Sequence, residues 1–308
     1  MGLPNVGKST LFNALLKKQV AFVANYPFAT IEPNVGVIPV PDERLEKLAD
    51  TIASTVNPST SLRTLRPPIK PAVVRFVDIA GLVEGASQGE GLGNKFLQHI
   101  REVDAILFLL RDFGDENIIR AGSVNPKDDL DILKLELELA DQDSKEKVNL
   151  LAKKPAIVVF NTDEDKQSFS ANKLNGEGLR ICAKMEEELA GLSEEEQKEY
   201  LKQLGIEKTG LEKVIQAAFE ILGLHTFLTA GEKEARAWTI KNGSTALTAA
   251  GVIHTDFEKN FIKADVINWE LFTADGGWVK ARELGHVRLE GRDYVMAEGD
   301  VVEFKVGV

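Results

Sequence analysis

Residues 2–9, Gly2-Leu3-Pro4-Asn5-Val6-Gly7-Lys8-Ser9, fit the spacing GxxxxGK[ST] and run directly into a helical pattern of Leu11, Phe12, Leu15 and Leu16. The chemistry open to such a stretch is phosphate binding. Its glycines let successive backbone N–H groups turn toward anionic oxygens, and the N-terminus of the following helix adds partial positive charge. Lys8 would reach the outer phosphates of a nucleotide and the Ser9 hydroxyl would ligate Mg2+. Asn5, Val6, Gly7 and Thr10 complete the cofactor-binding set at this end of the chain.

A second constellation stands some seventy residues on. Asp78-Ile79-Ala80-Gly81 follows the apolar run Ala72 to Val77. A bare DxxG is common. At a strand end after a phosphate loop, it places the Asp78 carboxylate beside the Mg2+ shell and the Gly81 N–H beside the terminal phosphate. Four glycines between Gly85 and Gly93 then read as a switch segment.

A third lies after another apolar run, at Asn161-Thr162-Asp163-Glu164. Ras-like GTPases carry NKxD in this position, where the Asp accepts from guanine N1–H and the 2-amino group. Adenine offers an acceptor at N1 and a donor at N6, so the paired demand is absent. Thr162 in place of Lys and the longer Glu164 in place of Asp loosen selection of guanine. Cys182-Ala183-Lys184, after Leu179 to Ile181, suits the last base-contacting loop.

Positioning these groups requires a framework of parallel strands. Ala105 to Leu110 and Pro155 to Phe160 are continuous apolar runs of strand length, as strands buried on both faces require. Between them, a helix capped by Asn125 and opened by Pro126 sets Leu130, Leu133 and Leu137 on one face, followed by a polar turn from Asp141 to Lys147. Asp42 caps a short helix with Leu45, Leu48 and Ile52 in register. Ser193-x-x-Glu196 and Thr209-x-x-Glu212 open two further helices by capping boxes. Strands alternating with helices give an α/β domain over residues 1–223.

From Thr226 the texture changes to short strands at Thr226 to Thr229, Glu234 to Ile240, Val287 to Leu289, Asp293 to Met296 and Val301 to Val306, a second domain over 224–308. A phosphate loop normally hangs from a buried strand. No residues precede this one, and the expectation is a start upstream of Met1.

Composition bounds the function. The 308 residues carry 37 Lys+Arg against 48 Asp+Glu, a net charge of −11, which argues against a general binder of nucleic-acid backbone. No apolar run is long enough for a membrane span, no signal peptide opens the chain, and one cysteine excludes an internal disulfide. A cytoplasmic location follows as the default. Four scattered histidines offer no metal-ligand spacing.

Taken with Tyr26-Pro27-Phe28-Ala29-Thr30-Ile31-Glu32-Pro33-Asn34, Gly89-Glu90-Gly91-Leu92-Gly93-Asn94 and, in the tail, Thr229 to Glu234 and Ala249 to Phe257, these motifs resemble the YchF-type Obg-like ATPases. The resemblance implies a Ras-like P-loop NTPase domain, with a mostly parallel sheet and helices on both faces, followed by a small ubiquitin-like β-grasp TGS domain. It implies a monomer that hydrolyses ATP as a slow switch in association with the ribosome or a translation-related protein. A GTPase of relaxed base choice and a nucleotide-regulated binding module with little hydrolysis are the alternatives.

By the same resemblance Lys8, Thr30 and Gly81 are catalytic, and Thr30 joins Ser9 and Asp78 on Mg2+. Asn5 sits where related enzymes coordinate K+. Leu82 replaces the water-orienting Gln, and a leucine has neither donor nor acceptor. Three departures stand out: Phe108 where family members often have His, a helical arm reduced to about residues 141–154, and the absent first strand. The shortened arm and the acidic surplus of the TGS domain favour a protein partner over bare RNA.

Overall fold

In a computed structural model, the structure describes residues 1–25, 35–55, 65–78, 100–115, 117–142, 150–164 and 178–307. The first half runs α1 (Lys8–Asn25), β1 (Val35–Pro39), α2 (Glu43–Ser54), β2 (Ile69–Lys70), β3 (Val73–Val77), β4 (Ile106–Asp112), α3 (Pro126–Gln142), β5 (Ala156–Thr162), β6 (Leu179–Ile181), α4 (Ala183–Leu189), α5 (Glu194–Leu204) and α6 (Gly210–Ile221). After it come β7 (Leu224–Ala230), β8 (Ala235–Lys241), α7 (Ala246–Ile253), α8 (Thr255–Lys259), β9 (Phe261–Asn268), α9 (Trp269–Asp275), α10 (Trp278–Glu283), β10 (Arg288–Glu290) and β11 (Asp300–Val306).

The chain divides into two units, residues 1–39 with 74–222, and residues 40–73 with 223–308. In the first, β4, β5 and β6 form a parallel sheet in that order. The apolar runs behave as their composition demands: Ile106, Phe108, Leu109, Leu110, Ile157, Val159 and Phe160 are all buried. Helix α3 lays Leu133, Leu137 and Ala140 against this sheet, with the Asn125 side chain accepting from Lys127 N at 3.2 Å. The parallel register sets Arg111 opposite Asn161 and Asp112 opposite Thr162, so the strands end together on one side, where open α/β sheets place ligands.

Strands β1 and β3 pair separately. The start of the chain lies along β4: the Met1 nitrogen donates to Leu107 O at 2.7 Å and Leu109 N donates to Met1 O at 2.8 Å, the bonding pattern of a parallel ladder.

The second unit holds a mixed sheet in the order β10-β9-β11-β7-β8-β2, with α7 packed on a core of Phe227, Ile240, Phe261, Val266 and Val302. Three sequence expectations change here. Residues 40–73, read as part of the first domain, belong to this unit: α2 buries Leu45, Leu48 and Ile52, β2 adds to the edge of β8 in parallel, and Arg44 bonds to Asp42, Thr226 and Glu298. Asp293 to Met296 forms no strand but a turn held by Tyr294 and Ala297 on the Asp300 carboxylate, with a single bridge from Val295 to Thr245. Strand β9, a central element, was missed because Lys263 and Asp265 interrupt its apolar pattern. Asp265 lies buried beside Arg282 and is also paired with Lys305.

The connection after α3 also differs from a plain polar turn. Asp141 lies in the last turn of the helix, and its carboxylate accepts from Leu151 N and Ala152 N, each at 2.9 Å. The arm's residues 143–149 lie outside the described ones. In this segment the Arg66 guanidinium is bonded to Glu46 and Asp50, and Lys70 pairs with Glu234 at 2.5 Å. Among the described residues, no helix is long and apolar enough to cross a membrane.

Both capping boxes form as spaced, at Ser193/Glu196 and Thr209/Glu212. The second is joined by Glu186 of α4, whose buried carboxylate accepts from Gly210 N at 2.7 Å. Burial pushes the Glu186 carboxyl above the usual carboxylate range, against the pull of the backbone N–H groups of Leu211 and Gly210. A raised folded pKa means that this group's contribution to stability is full below its unfolded value and is lost as pH rises through the folded one. Glu186→Gln keeps an acceptor for Gly210 N and removes that titration. Denaturant midpoints of the two proteins, compared at about pH 4 and about pH 7, are expected to move in favour of the variant at the higher pH. A gap independent of pH would refute the assignment.

Candidate functional site

The phosphate loop takes its shape from close backbone approaches. A Cβ on Gly2 would meet Leu109 O at 2.4 Å, and one on Gly7, at φ +98°, would meet Asn161 Nδ2 at 2.4 Å. Asn5 is the non-glycine residue with positive φ among the described ones, at 60°. Between them these two left-handed residues reverse the chain before α1, whose first bond runs from Leu11 N to Gly7 O at 3.0 Å. The N-terminus of α1 therefore follows the loop directly, with Ser9 exposed in its first turn and Thr10 half-buried behind it.

Lys8 turns back over the loop. Its Nζ donates to Gly2 O at 3.0 Å and Leu3 O at 2.7 Å. Burial lowers its pKa below the ordinary lysine value, and the Asp78 charge opposes that shift. Asp78, half-buried just past the end of β3, is thus electrostatically coupled to the loop lysine. A hydroxyl at the helix start and a carboxylate acting on Lys8 are hard oxygen donors of the kind Mg2+ takes alongside phosphate oxygens. Thr30, Gly81 and Leu82, the remaining residues of this constellation, lie outside the described residues.

Asn161 ties the two ends of the site together. Its buried side chain donates from Nδ2 to Val6 O at 3.0 Å and accepts at Oδ1 from Ala183 N at 2.9 Å. One amide at the end of β5 therefore holds both the phosphate loop and the loop at Cys182-Ala183. Thr162 is buried as well, and its hydroxyl donates to Ile181 O at 3.2 Å, stitching β5 to β6 instead of facing outward. Glu164 is exposed and close enough to raise the Cys182 thiol pKa, a shift that burial dominates. The thiol is free and buried, which leaves Cys182 a packing residue at the helix start. Phe108 is 2% exposed within the core against α3, so no polar group reaches the site from that position.

Sequence reasoning passed over one participant. Arg111, at the end of β4, is buried, and it organises the following loop, which in turn touches Asn5 and Asp163. The available signal was a guanidinium placed directly after five apolar strand residues, where a cation needs a structural reason.

Comparison with known proteins agrees with this geometry. A family model described as 50S ribosome-binding GTPase matches residues 1–162, and the YchF GTPase C-terminal model, described as a protein of unknown function (DUF933), matches residues 224–307. The chain is 41% identical to the ribosome-binding ATPase YchF of Bacillus subtilis, covering 100% of this chain and 98% of the relative. It is 42% identical to that of Haemophilus influenzae at the same coverage. The first alignment spans 373 positions, more than this chain has residues, so the relative carries segments that this chain lacks. Among solved structures, the YchF GTPase of Schizosaccharomyces pombe superposes with a TM-score of 0.81 at 32% identity, over 99% of this chain and 96% of that one. Relatives 41% and 42% identical over the whole of this chain, with family models matched at both of its ends, establish that this protein belongs to the YchF family.

Proposed function

We propose that the protein is a Mg2+-dependent nucleoside triphosphatase that hydrolyses ATP and works at the ribosome from the cytoplasm. The observation that carries this reading is the Asn161 bridge, which sets a phosphate loop and an Asn-x-x-Glu base loop at one end of a parallel sheet. The names of the relatives supply ATP and the ribosome.

The backbone N–H groups of Asn5 to Thr10 bind the phosphates, and Lys8 exchanges its two carbonyl partners for outer phosphate oxygens. Ser9, Thr30 and Asp78 would hold Mg2+, which when bound would supply neutralisation of charge at the outer phosphates. Gly81 N–H meets the terminal phosphate. Asn161 positions the loops on either side, while Glu164, with Thr162, Cys182 and Ala183 beneath it, shapes the base end. Asn5 is the candidate K+ ligand: its Nδ2 is committed to Ile119 O at 3.2 Å, which leaves Oδ1 as the acceptor a cation needs.

Leu82 cannot orient water and Phe108 is sealed in the core, so intrinsic turnover is slow and the enzyme acts as a switch. The acidic balance and the paired Arg66 and Lys70 favour a protein surface over bare nucleic acid as the direct contact. A monomer completes the reading, with residues 1–39 and 74–222 forming the nucleotide domain and residues 40–73 with 223–308 the other.

Single-turnover hydrolysis with and without K+ is the direct test. Lys8→Ala is expected to abolish turnover, whereas Leu82→Ala leaves it within a few-fold; equal losses would refute the assignment of water positioning away from Leu82. Base choice is checked by competition of ATP against GTP. Glu164→Asp restores the shorter acceptor for guanine and is expected to shift the ATP:GTP affinity ratio toward GTP by about tenfold, the worth of one charge-assisted hydrogen bond. An unchanged ratio would place base selection elsewhere.

A further inference from the structure

Arg111 is 3% exposed, yet its hydrogen bonds among the described residues all go to backbone carbonyls. Nε donates to Phe113 O at 3.4 Å, Nη1 to Ile118 O at 3.2 Å and Ile119 O at 3.5 Å, and Nη2 to Asp115 O at 3.0 Å. The guanidinium also lies over the Phe113 ring, 4.3 Å from its centroid. A buried cation is costly unless its donors are satisfied, and here the satisfaction has a geometric product. The fixed fork gathers four carbonyls of one loop around a single plane.

That loop is held at its other points as well. Arg120 donates to Arg111 O at 3.3 Å and to Ser123 O at 2.8 Å, and Ser123 N donates to the buried Asp129 carboxylate at 2.6 Å. Gly114 N donates to the Asp163 carboxylate at 3.2 Å, next to the base loop. The loop then leans on the phosphate loop in two places. Ile119 O accepts from Asn5 Nδ2, and a Cβ on Gly122 would meet Leu3 Cδ1 at 2.5 Å. Ile119 O is therefore shared by the Arg111 guanidinium and the Asn5 amide.

We propose that Arg111 is a positioning residue for the nucleotide site, acting through the loop at 113–115 and 117–122 to hold Asn5 in its left-handed conformation and thereby preset the phosphate loop. Ile119 as a whole is 82% exposed and its contribution comes from its backbone oxygen, to which Arg111 donates. Asn161 braces the loop through Val6 O, and Arg111 braces it at the neighbouring residue. The proposal rests on reading residues 2–9 as a nucleotide site.

A double-mutant cycle tests it, with Mg-ATP affinity measured by calorimetry on wild type, Arg111→Lys, Asn5→Ala and the double variant, alongside melting curves without nucleotide. Lys keeps the charge but cannot span the carbonyls. Each single substitution is expected to weaken Mg-ATP binding by about tenfold, and the double no further than the weaker single, since both remove one coupling. Losses that multiply, or unaltered affinity in Arg111→Lys, overturn the proposal. If Arg111→Lys does not fold, Arg120→Ala loosens the same loop from its rim and takes its place in the cycle under the same criteria. Lys8→Ala separates the two readings: wild-type binding that survives this change refutes the nucleotide site and the proposal together. Binding lost in Lys8→Ala, with multiplying losses in the cycle, refutes only the role of Arg111.

Discussion

The Asn161 side chain is the contact on which the site depends. A phosphate loop binds anions through backbone N–H groups, and a backbone can be held in one conformation only by groups that occupy its carbonyls. Asn161 occupies Val6 O and, with its other end, Ala183 N. Being buried, it exchanges these bonds for no solvent, and a low local dielectric strengthens both. The absence of a Cβ on Gly7 makes the approach possible, since any side chain there would collide with the same amide. Sequence positions 7, 161 and 183 are thus one structural unit, joined at the ends of parallel strands.

Around that unit, polar groups do the positioning and apolar ones set the distances. Phe108, Leu110, Leu133 and Phe160 fix the separation of β4, β5 and α3. The strand ends then carry Arg111, Asp112, Asn161 and Thr162, each with a bonded partner: Arg111 on its loop, Asp112 with Arg180 at 2.6 Å, Asn161 on two loops and Thr162 on Ile181. A parallel sheet delivers all of its C-terminal ends to one side, so the transition from apolar to polar residues along each strand becomes a polar rim.

Much of this was legible. GxxxxGK[ST], Asp78 after a strand, Asn161-x-x-Glu164 and the two capping boxes are local patterns whose chemistry requires little more than spacing. The helix face of Leu45, Leu48 and Ile52 was equally plain, because a 3.6-residue period needs no partner to be seen. What that face packs against was not. Its partners β7, β8 and α9 lie more than a hundred residues away, so chain neighbourhood reads residues 40–73 with the first domain, whereas they cluster with the second unit. Strand β9 was lost for a related reason. Its Asp265 is compensated by Arg282 and Lys305, charges that only the fold brings near.

By itself, then, the sequence determined the phosphate loop, the nucleotide motifs, the α/β alternation and the family resemblance, all properties written in residue type and short spacing. The tertiary structure alone decided that the Asn161 and Thr162 side chains bond within the protein, that Arg111 and Asn5 share the Ile119 oxygen, and that residues 40–73 pack into the second unit. The physical reason is the same in each case. A side chain's role is set by which hydrogen-bond partners remain once water is excluded, and those partners are chosen by strand register and packing rather than by neighbours in the chain.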